Sequence, residues 1–282
     1  MSVENFKPAI WRGEIIFTLR KTHVHASVAN SSFSGDISSA GDRVKLNQVG
    51  DVTINTYTPN STSITPQALT DAQRELIVDQ QKYFAFYVED VDQAQANVEF
   101  MNSVSEQSAY GLRDTADQYL AGLYQQNGLT YGTNSVPIDV NSTNVEETVL
   151  TCGETMTENN VMMENRYMVI APWFHTKLVL AGIANLSDNV DLYRNGRIGS
   201  ALGFDFRVSV NVSKDSATTW AKTRQQAGIL NQTLGWAEQI VSIEAYRPES
   251  GFQDAVKGYH VYGGKVTRPD KGLTLYADKT DE

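Results

Sequence analysis

Between Val91 and Gln126, apolar or small residues recur at three- and four-residue spacing: Ala94, Val98, Met101, Ser105, Ala109, Leu112, Ala116, Tyr119 and Leu123. That spacing puts them on one face of a helix, with Gln95, Glu99, Asn102, Glu106, Arg113, Asp117 and Gln125 on the other. No proline interrupts the stretch, and Asn127-Gly128 supplies a C-terminal stop. At 1.5 Å per residue the helix would run roughly 50 Å, longer than a compact domain of this size requires. It predicts a strut against which the rest of the chain is built. Gly111 and Gly122 lie inside it at a cost of about 1 kcal/mol each relative to alanine, marking close packing or a bend.

Upstream, Met1 to Asn30 mixes Phe6, Ile10, Trp11, Ile15, Ile16, Phe17 and Leu19 with charges and predicts one short amphipathic helix after Pro8. From Ser31 to Asp90 the period changes to two. Val44 and Leu46, then Val52, Ile54 and Thr56, then Leu76 and Val78, then Phe84, Phe86 and Val88 predict four strands. Gly-Asp pairs at 35, 41 and 50 punctuate this region, and the Ser/Thr/Asn/Pro-rich Thr58 to Thr70 reads as an exposed tip. Isolated hairpins are marginal in water, so such a projection gains its stability by lying on another subunit.

Downstream of the strut, Tyr131 to Val140 predicts a loop or edge strand. Thr143 and Glu146, at capping-box spacing, open a helix carrying Val145, Val149 and Met156 on one side. Arg166 to Ala171 predicts a buried strand running into a helix from Pro172 to Ala181. Gly196 to Gly203 predicts a glycine-spaced turn feeding a strand from Phe204 to Val212, with Phe204, Phe206, Val208 and Val210 on one face. A strand at Gln239–Tyr246, a helix at Gly251–Gly258 and a strand at Tyr259–Thr267 follow, and the charged tail from Asp270 is expected to fray. The fold class is α+β.

Composition narrows the function. The 282 residues suffice for one or two domains, and no run approaches the roughly 18 apolar residues of a membrane span. Glu4, Lys7, Arg12 and Glu14 break the first 20 residues, so they form no secretory signal. A single cysteine, Cys152, forms no intrachain disulfide and fits a reducing cytosol. The net charge of −10 argues against a surface built to grip nucleic acid by its phosphates, though not against a wall that encloses it.

Candidate chemistry is weak throughout. His23 and His25 form a His-x-His pair with no carboxylate or cysteine at ligand spacing, so no metal site is expected. Gly258 to Val266 (GYHVYGGKV) departs from a phosphate-binding loop in spacing and lacks the hydroxyl after its lysine. Cys152 in an amphipathic helix reads as a structural thiol. The carboxylate pairs Glu146-Glu147 and Asp114-Asp117 read as helix surface. A hydrolase using His175 or His260 is the alternative from another class. No catalytic residue, cofactor or metal is expected.

Five stretches together resemble the major capsid proteins of tailed double-stranded DNA bacteriophages, whose fold also builds herpesvirus capsid floors and encapsulin shells. They are FKPAIW from Phe6, SGDISSAGDRVKLNQVGDVTI from Ser34, RYMVIAPWF from Arg166, GRIGSALGFDFRVS from Gly196, and the closing segment from Ala237 to Pro269. The resemblance implies an N-terminal arm at 1–30, an extended hairpin loop with flanking strands at 31–90, and the spine helix and peripheral domain at 91–165. An axial domain at 166–269, with strands returning to the peripheral domain, and a tail at 270–282 complete it. It implies self-assembly through pentamers and hexamers into an icosahedral head that encloses double-stranded DNA without sequence-specific binding. Location in the virion, assembly in the bacterial host cytoplasm, a separate scaffolding protein, a portal, a cement or decoration protein and no membrane partner are implied with it. Phe6, Trp11, Val52, Ile54, Tyr57 and Pro59 are the candidate inter-subunit contacts, and Gly111 the candidate hinge of the spine helix. An encapsulin-like nanocompartment that stores a cargo enzyme shares the fold and is the nearest alternative.

Overall fold

The computed structural model describes residues 24–32, 43–49, 54–56, 58–59, 71–89, 98–181, 197–215, 220–248 and 253–279. Within them lie two sheets, a projecting hairpin and one long helix. The larger sheet has eight strands: β4 (Leu129–Tyr131), β5 (Ile138–Val140), β6 (Arg166–Ile170), β7 (Arg197–Ala201), β8 (Phe204–Val208), β9 (Ser213–Lys214), β10 (Lys222–Ile229) and β13 (Leu273–Lys279). Its order is β4-β13-β10-β6-β8-β7, with β5 also on β13 and β9 also on β10. The smaller sheet is antiparallel, with β12 (Gln253–Val266) between β11 (Leu234–Tyr246) and β3 (Gln80–Glu89). The hairpin pairs β1 (Arg43–Val49) with β2 (Asp71–Ile77).

The larger sheet forms around a run with no polar alternation. Every residue of β6 is buried, as expected of a strand covered on both faces. Helices α3 (Val145–Glu158) and α4 (Pro172–Leu180) pack Cys152, Met156, Phe174 and Leu178 against Met168, Ile170, Phe204 and Ile229. Pro172 opens α4, where its missing N–H costs nothing. Leu202 and Gly203 both have positive φ, which makes the β7–β8 connection a two-residue turn of the hairpin-favouring hand. The buried Arg166 guanidinium closes the end of α3 by donating to the carbonyls of Gly153 (3.0 Å), Val161 (2.7 Å) and Met162 (2.7 Å) and to Thr157 Oγ1 (3.0 Å). It supplies donors and positive charge where a helix terminus needs both.

The strut appears as α2 (Val98–Gly122), extended by a 3₁₀ turn, Leu123–Gln126. Residues 91–97 lie outside the described residues. Leu120 and Leu123 of this segment pack with Trp236 and Tyr262 of the smaller sheet. Gln226 of β10 donates to the carbonyls of Leu120 (3.4 Å) and Ala121 (2.8 Å), fastening the larger sheet to the same helix. A short helix, α1 (Val24–Val28), lies where the two units meet: Val28 belongs to the core of the larger sheet and Ala29 to that of the smaller.

Several expectations change. Gly251–Gly258 is not a helix; from Gln253 the chain is already in β12, paired with β3 and β11. The stretch expected to fray holds β13, whose Leu273, Leu275 and Ala277 are fully buried. Ile54, Asn55 and Thr56 are not in a strand, and β1 pairs directly with β2 across the tip. The strand from Phe204 stops at Val208, so Val210 lies beyond it and is exposed. The Thr143–Glu146 capping box does not form. Asn141 Oδ1 instead accepts from the Thr143 and Asn144 N–H groups, and α3 begins at Val145. The helix expected after Pro8 lies outside the described residues.

Candidate assembly surfaces and the clasp on the long helix

The hairpin is rooted at its base. Leu76 and Val78 are buried against Ala237 and Val261, with Val44 and Tyr259 alongside. Gly263 makes this seat possible, since a Cβ there would lie 2.4 Å from Ile77 O and 2.8 Å from Val78 Cα. Lys265 Nζ donates to Glu75 O at 2.9 Å, and Arg43 pairs with Glu75 at 3.0 Å. Of the expected contact residues, Ile54 is 94% exposed and Pro59 is exposed, both in the stretch between β1 and β2. Phe6, Trp11, Val52 and Tyr57 lie outside the described residues.

A second surface escaped the sequence reading. Past the hairpin base, the same face of the smaller sheet carries Tyr83 (79% exposed), Tyr87 and Tyr246. Across it Lys257 pairs with Glu244 at 2.9 Å and lies 5.1 Å from the Tyr246 ring. Alternation along β3 was the available signal: Tyr83, Ala85 and Tyr87 share one side, Phe84 and Phe86 the other.

Gly111 lies near the middle of the long helix. Gly111 is exposed, with nothing within 4 Å of where a Cβ would stand, and its carbonyl accepts from Thr115 Oγ1 at 2.8 Å. C-terminal to it the helix is fastened repeatedly. Asp117, expected on the polar face, is only 5% exposed; three- and four-residue spacing places it in line with Leu120 and Ala121, which was the signal missed. Its Oδ1 accepts from the His25 backbone N–H at 2.9 Å, and its Oδ2 lies 3.1 Å from His25 Nδ1. Ser209 Oγ and Asn211 Nδ2 reach Oδ2 at 3.3 Å, and Asn211 Nδ2 also donates to Asp114 Oδ1 at 2.8 Å. Burial alone would raise the Asp117 pKa. The His25 charge and donors, with Asn211, override it and hold the carboxyl well below the usual range.

The residues considered for chemistry do not converge. Cys152 is sealed in the larger core, where burial pushes its thiol up to about 12, the mark of an inert structural cysteine. His175 lies on α4 against that core, and burial lowers its pKa. His260 belongs to the smaller sheet, is 1% exposed, and its Nε2 lies 3.6 Å from Glu238 Oε2, too long for a hydrogen bond. The GYHVYGGKV stretch is strand, with Val261 and Val266 buried. Among the described residues no cluster of metal-ligating side chains occurs and no helix is long and apolar enough to cross a membrane.

Residues 72–275 match the family described as phage capsid protein. The chain belongs to that family. Solved structures share the fold over nearly the whole subunit. That of Mycobacterium phage Che8 is 24% identical over 90% of this chain and 91% of the other, with a TM-score of 0.71. The capsid of cyanophage P-SCSP1u is 20% identical over 92% and 89%, with a TM-score of 0.69. The virus-like particle from Pyrococcus furiosus is 13% identical over 97% and 100%, with a TM-score of 0.60. No curated protein matches the sequence. As a major capsid protein the chain is a subunit of the phage head shell. An exposed hairpin tip and an exposed tyrosine face therefore belong to a protein whose work is to contact other copies.

Proposed function

We propose that this capsid protein assembles through pentamers and hexamers into an icosahedral head around packaged double-stranded DNA, with no catalytic role of its own. The observation that carries this reading is the hairpin. Its base is buried, while Ile54 and Pro59 beyond it lie open on a two-stranded projection too small to be stable alone. Residues 1–30 act as the arm and 31–90 as the loop that overlaps a neighbour, contributing Phe6, Trp11, Val52, Ile54, Tyr57 and Pro59 to the contacts. The spine helix yields at Gly111, where nothing lies within 4 Å of the position a Cβ would take. A scaffolding protein and a portal, and a decoration protein where the shell carries one, are its partners. Assembly takes place in the host cytoplasm and the product is the virion. The sealed Cys152 and His260 support a structural rather than an enzymatic role.

Electron microscopy and sedimentation of the expressed protein, with and without its neighbouring genes, test this reading. Uniform closed shells of megadalton mass are expected; a monomer under both conditions would refute it. Trp11→Ala should lower shell yield far more than it lowers subunit stability, removing roughly 3 kcal/mol of contact if the ring is fully buried between copies. An encapsulin-like nanocompartment, which the sequence reading allows, is the second reading, and the fold is shared with a virus-like particle from Pyrococcus furiosus. Purified shells that carry a single cargo protein and no DNA would establish it.

A further inference from the structure

Strand β3 runs from Gln80 to Glu89, and among the described residues no strand pairs with its outer edge. It contains no proline or glycine, and its register with β12 is unbroken along its whole length. Outer edges elsewhere in the two sheets are blunted. Strands β4 and β5 are three residues long, and β7 shifts register between Arg197 and Gly199. Strand β11 carries a bulge between Ile240 and Ser242 and a bridge from Gly235 to Asn30. A long, regular, aromatic edge is a template for pairing with another chain.

The centre of β3, Tyr83-Phe84-Ala85-Phe86-Tyr87, reads the same in both directions. Tyr83, Ala85 and Tyr87 are exposed on one face, while Phe84 and Phe86 stack on the other with ring centroids 6.2 Å apart. Phe84 rests against Gly258, where a Cβ would overlap its ring. Such a palindrome matters for a strand that meets a copy of itself. A two-fold axis normal to a sheet makes two edge strands antiparallel and keeps each face on its own side, so the axis passes beside one residue that faces its own copy. With Ala85 at the axis, Tyr83 faces Tyr87 of the second copy and Phe84 faces its Phe86. Gln81 meets Glu89 and Lys82 meets Val88, so no like charges are opposed. An axis at Phe84 would set Lys82 opposite Phe86 and Tyr83 opposite Ala85. An axis at Phe86 would set Tyr83 opposite Glu89. Only the register on Ala85 matches aromatic with aromatic on both faces.

We propose that β3 is an isologous contact, joining two copies of this chain in a six-stranded sheet, β11-β12-β3-β3-β12-β11, with Ala85 at the two-fold. The join makes one row on the tyrosine face: Tyr246, then Tyr87 across Ala255, then Tyr83 and Tyr259 of the second copy, as the pairing within each sheet requires. An icosahedral shell needs two-fold contacts between its rings as well as head-to-tail contacts within them. The hairpin serves the second kind, and β3 supplies the first. Where the contact is made rests on the reading of the chain as a shell subunit.

Cysteine cross-linking of the full-length protein, soluble and assembled, tests the pairing. Ala85→Cys puts a thiol opposite its own copy, within disulfide reach, while Gln81→Cys, exposed on the same face, lies about 27 Å from its own copy in this register. Cys152 is sealed in the core and does not compete. Under mild oxidation the disulfide dimer from Ala85→Cys should be on the order of tenfold stronger than that from Gln81→Cys. Ala85→Lys or Ala85→Glu alone opposes like charges at the axis and should lower shell yield, and co-expression of the two should restore it. No dimer from Ala85→Cys, equal dimers from both positions, or no rescue by the mixed charges would each overturn the pairing; a tyrosine face covered by another protein gives that result. Shells that lack the Ala85 cross-link would remove the pairing and leave the shell reading intact. A cross-linked dimer that never closes into shells would keep the pairing and remove the shell reading.

Discussion

The larger sheet and the projecting hairpin obey different rules. In the sheet, β6 is wholly buried and two helices close over a core from Met156 to Leu275, so its stability is internal to the subunit. The hairpin has a full register of cross-strand pairs and a buried base, and one of its ion pairs, Arg43–Glu75, is largely exposed and worth little. The larger sheet thus carries its own core within the single chain, whereas the hairpin is anchored to the chain at its base. The tyrosine face of the smaller sheet stands between them: ordered by β11 and β12, yet uncovered in the single chain.

The sharpest break of this contrast is in the core of the larger sheet. Phe174→Ala empties a fully buried ring site and should cost about 3–5 kcal/mol, lowering the urea midpoint of the subunit and abolishing shells together. Gly263→Ala acts at the hairpin's base, where a Cβ meets Ile77 O and Val78 Cα. About 1–3 kcal/mol of overpacking should unseat the hairpin and reduce shell yield while the larger sheet keeps its exchange protection. Equal losses in sheet and hairpin would show that the two are one cooperative unit.

Alkaline titration probes the buried groups of both cores more gently. Cys152, ordinarily near 9.0, is pushed up to about 12, so between those values the folded state holds a proton that the unfolded state has lost. Stability therefore falls as pH rises from 9 towards 12, by at most about 1.4 kcal/mol per pH unit for this group. Tyr119 and Tyr262, raised from 10.0 to about 12 mainly by burial, act in the same direction in the smaller core. Cys152→Ala should reduce the slope and leave the tyrosine contribution, which includes Tyr167 of the larger core, likewise raised by burial, as urea midpoints from pH 8 to 11 would report. Gly111→Ala should have the smallest effect on the subunit. With open space around the site, alanine stabilises the helix by about 1 kcal/mol, raising the melting temperature slightly. If the helix bends there during shell expansion, the variant shells should need a stronger trigger, and unchanged expansion thresholds would remove Gly111 as the hinge.

Local pattern alone was enough for elements whose periodicity and punctuation agree. The three-and-four spacing through Leu112, Ala116 and Leu123 specified the long helix, RYMVI the buried strand and Pro172 the start of α4, whereas the stretch from Gly196 to Gly203, expected to be a turn, is mostly strand β7 and turns only at Leu202 and Gly203. Tertiary structure decided what depends on distant partners. Gln253 to Gly258 is polar enough to read as helix, but it pairs with a strand on each side and so completes β12. The Thr-Arg-Gln-Gln run of β10 carries no strand-like apolar alternation; it is buried because Gln226 finds helix carbonyls and Arg224 finds Asp215 and Asn134. β13 sits between charged ends that suggest fraying, and only its pairing with β10, β4 and β5 seals Leu273 and Leu275. Asp117 shows the limit most clearly. Its spacing put it in line with the buried stripe, but a carboxylate can stay there only because His25, Ser209 and Asn211 arrive from 92 to 94 residues away, and no local pattern encodes that meeting.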